Sequence, residues 1–211
     1  SLYYTIDPDG NSVVGVKKSD IIHNDKTWFL NENDNKNNKI VFDNSFKKIK
    51  FDSIVLNHND ELIAFTGATN DSTFKNLKVR FKDVNIGNLI PKVDSLKLNG
   101  NINGDLSILQ KKGIYFPSSN IIIDSINVND IEMGDLTIDI LGNKNLTRYD
   151  INTSLINNNI KSFNSTGYIE TKSTQTDIQL NIELNEFNLG AISPFGASVI
   201  TNIRGLMSGK G

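Results

Sequence analysis

His23 and His58 are the only imidazoles in the chain and the first place to look for metal binding or proton transfer. Such sites gather donors at short spacings, His-x-x-His or Glu-x-x-His, which bring two of them to one side of an element. Neither histidine has such a neighbour, and both are read as loop residues. Asp7-Pro8-Asp9-Gly10-Asn11 opens like a calcium loop, but Lys18 stands where the closing glutamate belongs. A Pro-Asp-Gly turn explains the stretch. Asn70, Asn145, Asn152 and Asn164 each begin an Asn-x-Ser/Thr sequon, as chance provides in so Asn-rich a chain. There is no cysteine, hence no thiol or disulfide chemistry. No Walker loop, dinucleotide fingerprint or Gly-x-Ser-x-Gly elbow occurs. The sequence therefore assigns no catalytic, cofactor-binding or metal residue.

The elements that would position any site follow from composition and period. The chain has 211 residues and a formal charge of -2, with no basic face for nucleic acid. Asn and Asp favour turns, and Ile favours strands. No apolar run reaches the roughly 18–20 residues that cross a membrane as a helix. The chain opens on "SLYYTIDPDG", without Met or a leader-like segment, and stops at "SGKG" inside one of its own motifs, so a piece of a longer protein is expected.

Period-2 alternation dominates. Leu77, Val79 and Phe81 alternate with Lys78 and Arg80; Leu96 and Leu98 lead through Gly100, Ile102 and Gly104 to Leu106 and Ile108. Leu136, Ile138 and Ile140 form another run, and Ile178, Leu180, Ile182 and Leu184 a further one. Each sends one side-chain set to an apolar face and the other to water. Turns are expected at Asn99-Gly100, Gly142-Asn143 and Asn157-Asn158-Asn159, and a solvated loop over Asn31–Lys39. Trp28 and Phe29 suit either an ordinary core or the first strand of a groove.

Two phrases repeat. "FKDVNIGNLIP" begins at Phe81 and "LNEFNLGAISP" at Leu184, so that Asn85, Gly87 and Pro91 match Asn188, Gly190 and Pro194. Each phrase is followed by Gly-x-x-x-Gly: Gly100 and Gly104, then Gly205 and Gly209. A fainter copy, "VNDIEMGDL", begins at Val128. Physically, Asn caps one helical turn, Pro stops it, and paired glycines on one strand face relieve crowding in a bent sheet. Two related units, about 40–110 and 111–211, are expected. The fold class is all-β: a long, strongly curved amphipathic sheet forming an open trough, with only short helical turns.

In this order and doubled, the motifs resemble the translocation/assembly-module domain of TamB-like proteins, within the AsmA-like superfamily. The resemblance runs from about Ile40 to Gly211, with "LNEFNLGAISPFGASVITNIRGLMSG" the strongest stretch. It implies a β-taco with an apolar interior, no enzymatic activity and no cofactor. It implies a periplasmic location in a diderm bacterium, within a full-length protein anchored in the inner membrane. The implied partners are phospholipid acyl chains and an outer-membrane barrel of the Omp85 class (TamA-like), reached through the full-length protein. The implied role is phospholipid movement between the two membranes and support of outer-membrane protein assembly.

The alternating residues are the groove-lining candidates: Leu77, Val79, Phe81, Leu96, Leu98, Leu106, Ile108, Leu136, Ile138, Ile140, Ile178, Leu180, Ile182 and Leu184. Periodicity alone leaves open whether they line a trough or fill a closed core. A surface β-solenoid or β-sandwich adhesion module is the alternative function. A carbohydrate-active β-helix would need carboxylates facing each other across a cleft, whereas these acids are scattered among Lys and Asn. Open strand edges would also permit self-association.

Overall fold

A computed structural model describes residues 1–91, 96–171, 175–196 and 203–211, and the side chains of these except 194–196. Fifteen strands form one antiparallel sheet that does not close on itself. They are β1 (Leu2–Ile6), β2 (Ser12–Val16), β3 (Ser19–His23), β4 (Lys26–Leu30), β5 (Lys39–Phe42), β6 (Lys48–His58), β7 (Glu61–Asn70) and β8 (Phe74–Asn85). Then follow β9 (Leu98–Lys111), β10 (Ile114–Val128), β11 (Ile131–Gly142), β12 (Arg148–Asn157), β13 (Ile160–Thr171), β14 (Thr176–Asn188) and β15 (Leu206–Lys210). From β5 to β15 each strand pairs with the next in sequence. The border expected between two units falls in the β9–β10 hairpin, and the sheet runs through it unbroken.

Among the described residues, helix is limited to the two repeated phrases and the two residues after the second. α1 (Ile86–Leu89) follows β8, and a 3-10 helix (Leu189–Gly196) follows β14. Both begin in the same way. The Asn85 Oδ1 accepts from the Gly87 N–H at 2.9 Å, and the Asn188 Oδ1 from the Gly190 N–H at 2.9 Å. The extended backbone of Ile90 ends α1 just before Pro91, which disfavours helical geometry there. Pro194 lies inside the 3-10 helix, which runs on to Gly196, so it does not stop that turn as expected.

Alternation is interrupted in several strands, and the interruptions bend the sheet. Phe51 pairs with Gly67, yet Ile54 pairs with Phe65, so β6 carries one extra residue. The same happens between Phe81 and Val84, between Ile123 and Ile126, and between Leu184 and Phe187. These are bulges, which increase twist and bend a sheet. In three of them the acid or serine sits in the left-handed region: Asp83 at φ 53, Ser125 at φ 52 and Glu186 at φ 50. A neighbouring strand's side chain receives each freed N–H: Asn103 at 2.8 Å, Asp135 at 2.9 Å and Ser208 at 2.9 Å. The repeated "F-x-D-V-N" and "L-x-E-F-N" phrases are thus bulge-plus-cap cassettes. The fainter copy expected at Val128 instead has its bulge five residues earlier, at Ile123 ("IDSIN"), without a cap: Asn127 stays in β10 and donates to the Ser125 carbonyl, and Asn129 and Asp130 form the left-handed β10–β11 turn.

The core gathers at the bulged end. Val128, Met133, Leu155 and Ala191 are buried together, with Leu96, Leu98, Leu136, Phe163 and Phe187 against them. Ala191 brings the 3-10 helix over this end, and Val84 is fully buried where β8 meets α1. The β3–β4 hairpin reaches the same end: His23 Nε2 meets the Leu89 carbonyl at 2.9 Å, and Asn24 Nδ2 donates to the Ile90 carbonyl.

Three expectations about loops are corrected. His23 and His58, read as loop residues, are the last residues of β3 and β6. Asn99-Gly100 is no turn; it lies inside β9, with Gly100 opposite the β10 bulge. The Asn31–Lys39 stretch is not wholly solvated. Asn31 and Asn38 are buried, the Asn31 Nδ2 donating to the Val16 carbonyl at 2.6 Å and the Asn38 Oδ1 accepting from the Val55 N–H at 2.8 Å. These amides satisfy backbone groups that the sheet leaves unpaired where β2, β5 and β6 meet, as buried polar atoms require.

Candidate apolar groove

Strand register settles which side chains share a face, because directly paired residues point the same way. Phe65, Val79, Leu106, Ser119, Ile140, Ile151, Gly167 and Leu180 are consecutive partners across β7 to β14. A parallel chain of partners joins Phe81, Gly104, Ile121 and Ile138, and another joins Leu136, Leu155, Phe163 and Leu184. Leu77 pairs with Ile108, Ile178 with Ile169, and Ile182 with Ser165, all on this face. Leu98 pairs with Val128, and Leu96 packs against the core below. Every groove-lining candidate therefore lies on the apolar face or in the core that continues it.

None of these candidates is fully buried. Leu77, Val79, Phe81, Leu96, Leu98, Leu136, Ile138, Ile140, Leu180 and Leu184 are half-buried, and Leu106, Ile108, Ile178 and Ile182 are exposed. Ile178 keeps 60% of its surface. The described side chains do not fill the face. Over β7 to β12 it forms a groove of about 380 Å³, floored by Phe65, Leu77, Val79, Leu106, Ile108, Ile140 and Tyr149.

The opposite face carries the charged and amide side chains, with Phe116, Ile122, Leu141 and Ile156 exposed among them. Asp105 lies between Lys78 at 2.9 Å and Arg80 at 3.1 Å. Partial burial pushes its carboxyl up, but the hydrogen bonds and charges of Lys78 and Arg80 outweigh this and hold it below its ordinary value. Arg148 bonds Asp150 at 3.0 Å and stacks on the Tyr168 ring at 3.7 Å.

The repeat glycines divide by environment. A Cβ on Gly104, at φ +124, would lie 2.0 Å from the Asn120 carbonyl oxygen. Gly104 faces Phe81 at the β8 bulge, and Gly209 faces Leu184 at the β14 bulge. A Cβ on Gly100 would meet Ile123 at 2.9 Å, on Gly87 the Leu98 carbonyl at 2.5 Å, and on Gly190 the Ile131 Cδ1 at 2.7 Å. Gly205 and Gly209 have open space around them. The crowding expected of the whole glycine set therefore holds at Gly100 and Gly104, and Gly205 and Gly209 depart from it.

The chemistry-bearing candidates are structural in their contacts. His58 Nδ1 meets the Thr27 carbonyl at 2.8 Å, and its ring lies 5.4 Å from that of Trp28, which is buried. Asp7 is held below its ordinary value by hydrogen bonds from the Asn11 side chain and backbone, and from Asp9. Among the described residues no group of His, Cys, Asp and Glu is arranged to hold a metal. Gln110, missed in the sequence, is buried on the apolar face beside Lys75 and Tyr115; an amide closing an alternating apolar run was its only signal. Comparison of the chain with protein-family models, curated proteins and solved structures returned no match.

Proposed function

We propose that this chain is a non-enzymatic trough of a TamB-like translocation/assembly module, carrying phospholipid acyl chains between the inner and outer membranes of a diderm bacterium. In this reading the full-length protein is anchored in the inner membrane, spans the periplasm, works with a TamA-like barrel and supports outer-membrane protein assembly. The observation that carries the reading is the apolar face that the described side chains leave uncovered. Contiguous apolar surface beyond a few hundred Å² is unusual on soluble proteins and marks a binding surface. An acyl chain lying there leaves water at about 0.8 kcal/mol per methylene. A floor mainly of Leu, Ile, Val and Phe, interrupted by Ser119, holds most tail positions about equally and lets a tail slide. The doubled bulge-and-cap phrases add the resemblance.

The test is lipid co-purification. Protein isolated from cells without detergent is extracted with organic solvent, and the extract is examined by mass spectrometry. The expected outcome is phospholipid in stoichiometric amount, displaced by an apolar fluorophore. Protein that is lipid-free and binds no fluorophore contradicts the reading and favours an adhesion module with a covered face.

A further inference from the structure

The groove has a chemically distinct mouth. Leu77, Ile108 and Pro117 are partners across β8, β9 and β10. Two residues farther from the bulged end, about 7 Å along the strands, the same face carries Lys75, Gln110 and Tyr115, again as partners. Lys75 Nζ donates to the Tyr115 hydroxyl at 3.3 Å and lies 5.4 Å from the centre of its ring. Gln110 is buried beneath them and donates to the Ser72 carbonyl at 3.0 Å, which fixes the floor. Lys75 and Tyr115 are half-buried. Tyr115 is uncharged, so it orients the ammonium without neutralising it. The other end of the sheet is covered by α1 and the 3-10 helix. A tail lying along the strands therefore places its polar head at the end away from these helices, and an oriented cation stands there.

We infer that Lys75 and Tyr115 form a headgroup subsite for an anionic amphiphile, with the acyl chain on Leu77, Val79, Leu106 and Ile108 and the phosphate or carboxylate on the Lys75 ammonium. The inference rests on the trough reading and adds headgroup selection to it. A hydrogen bond between ionised groups is about twice as strong as a neutral one, and partial removal from water strengthens it further. The Tyr115 hydroxyl remains free to donate to a second oxygen of the same head.

The test uses the whole chain and three probes with the same tail: dodecyl phosphate, dodecanoate and the uncharged dodecyl glyceryl ether. Affinities are read by displacement of an apolar fluorophore. At least one anionic probe should bind about tenfold tighter than the ether, the factor set by one charge-assisted contact. Preference for dodecyl phosphate alone assigns the subsite to phospholipid; equal preference for dodecanoate extends it to fatty acids. Inorganic phosphate without a tail should displace nothing. Lys75→Gln should abolish the preference and leave ether binding unchanged, Lys75→Arg should retain it, and Lys111→Gln, on the polar face of the same end, should not alter it. If the preference survives Lys75→Gln, or falls equally with Lys111→Gln, the subsite is overturned. If all three probes bind alike, the subsite falls and the trough stands; if none binds, both fall.

Discussion

Gly104 shows how far a single residue serves the bend. It stands across from Phe81, where β8 takes its extra residue, and its backbone is in a region that L side chains rarely adopt. Gly104→Leu would force a Cβ against the Asn120 carbonyl, and a loss of about 1–3 kcal/mol is expected, the usual overpacking range. Gly209→Leu, facing the analogous bulge with open space around it, should leave the urea midpoint nearly unchanged. Equal midpoints for the two variants would contradict the account of Gly104. Which glycines are crowded was not legible in the sequence, where all four stand in the same Gly-x-x-x-Gly phrase. Packing on the far side of the strand decides it. For the same reason Asn31 and Asn38 read as solvated: composition describes a side chain's usual partner, water, and the buried carbonyl and N–H that replace it come from distant strands.

At the scale of elements, the alternation gave the strands and the shared face because the strand period is invariant. The bulges were present too, as apolar residues three apart (Phe81 and Val84, Leu184 and Phe187), but they looked like the ends of runs. Their meaning emerges only when a partner strand supplies the register. Asn99-Gly100 misled for a related reason: the dipeptide favours positive φ, which a turn and a residue opposite a bulge both use. The polar face makes a separate prediction through Asp105, which joins β9 to Lys78 and Arg80 on β8. A carboxyl held below its unfolded value adds stability above that value, near pH 4, and loses it as pH falls through the lower folded value. Wild type should therefore exceed Asp105→Asn in stability at pH 7 by a small margin, on the order of 0.2–1 kcal/mol for so exposed a pair. The margin should close as the pH is lowered through the carboxylate range. A margin independent of pH between 2 and 7 would show that the ion pairs are not its source.

On the scale of the whole molecule, an open sheet covered at one end by helical turns, with an apolar face that the described side chains leave uncovered, raises one question: what lies on that face. Period-2 patterning cannot answer it, since a filled core and an open trough are written alike. Among the described residues, the exposure of Leu106, Ile108, Ile178 and Ile182 favours the trough. The pair Leu180 and Asn181 puts the question in its sharpest form, because adjacent residues of one strand point to opposite faces. Leu180 is partnered by Gly167 on the apolar face, and Asn181 by Thr166 on the polar one. A photo-crosslinking residue is placed at each position in the full-length protein in cells, and adducts are identified by mass spectrometry. The account predicts phospholipid adducts at position 180 and none at 181. Equal labelling at both positions, or no lipid at position 180 in a folded protein, would contradict it.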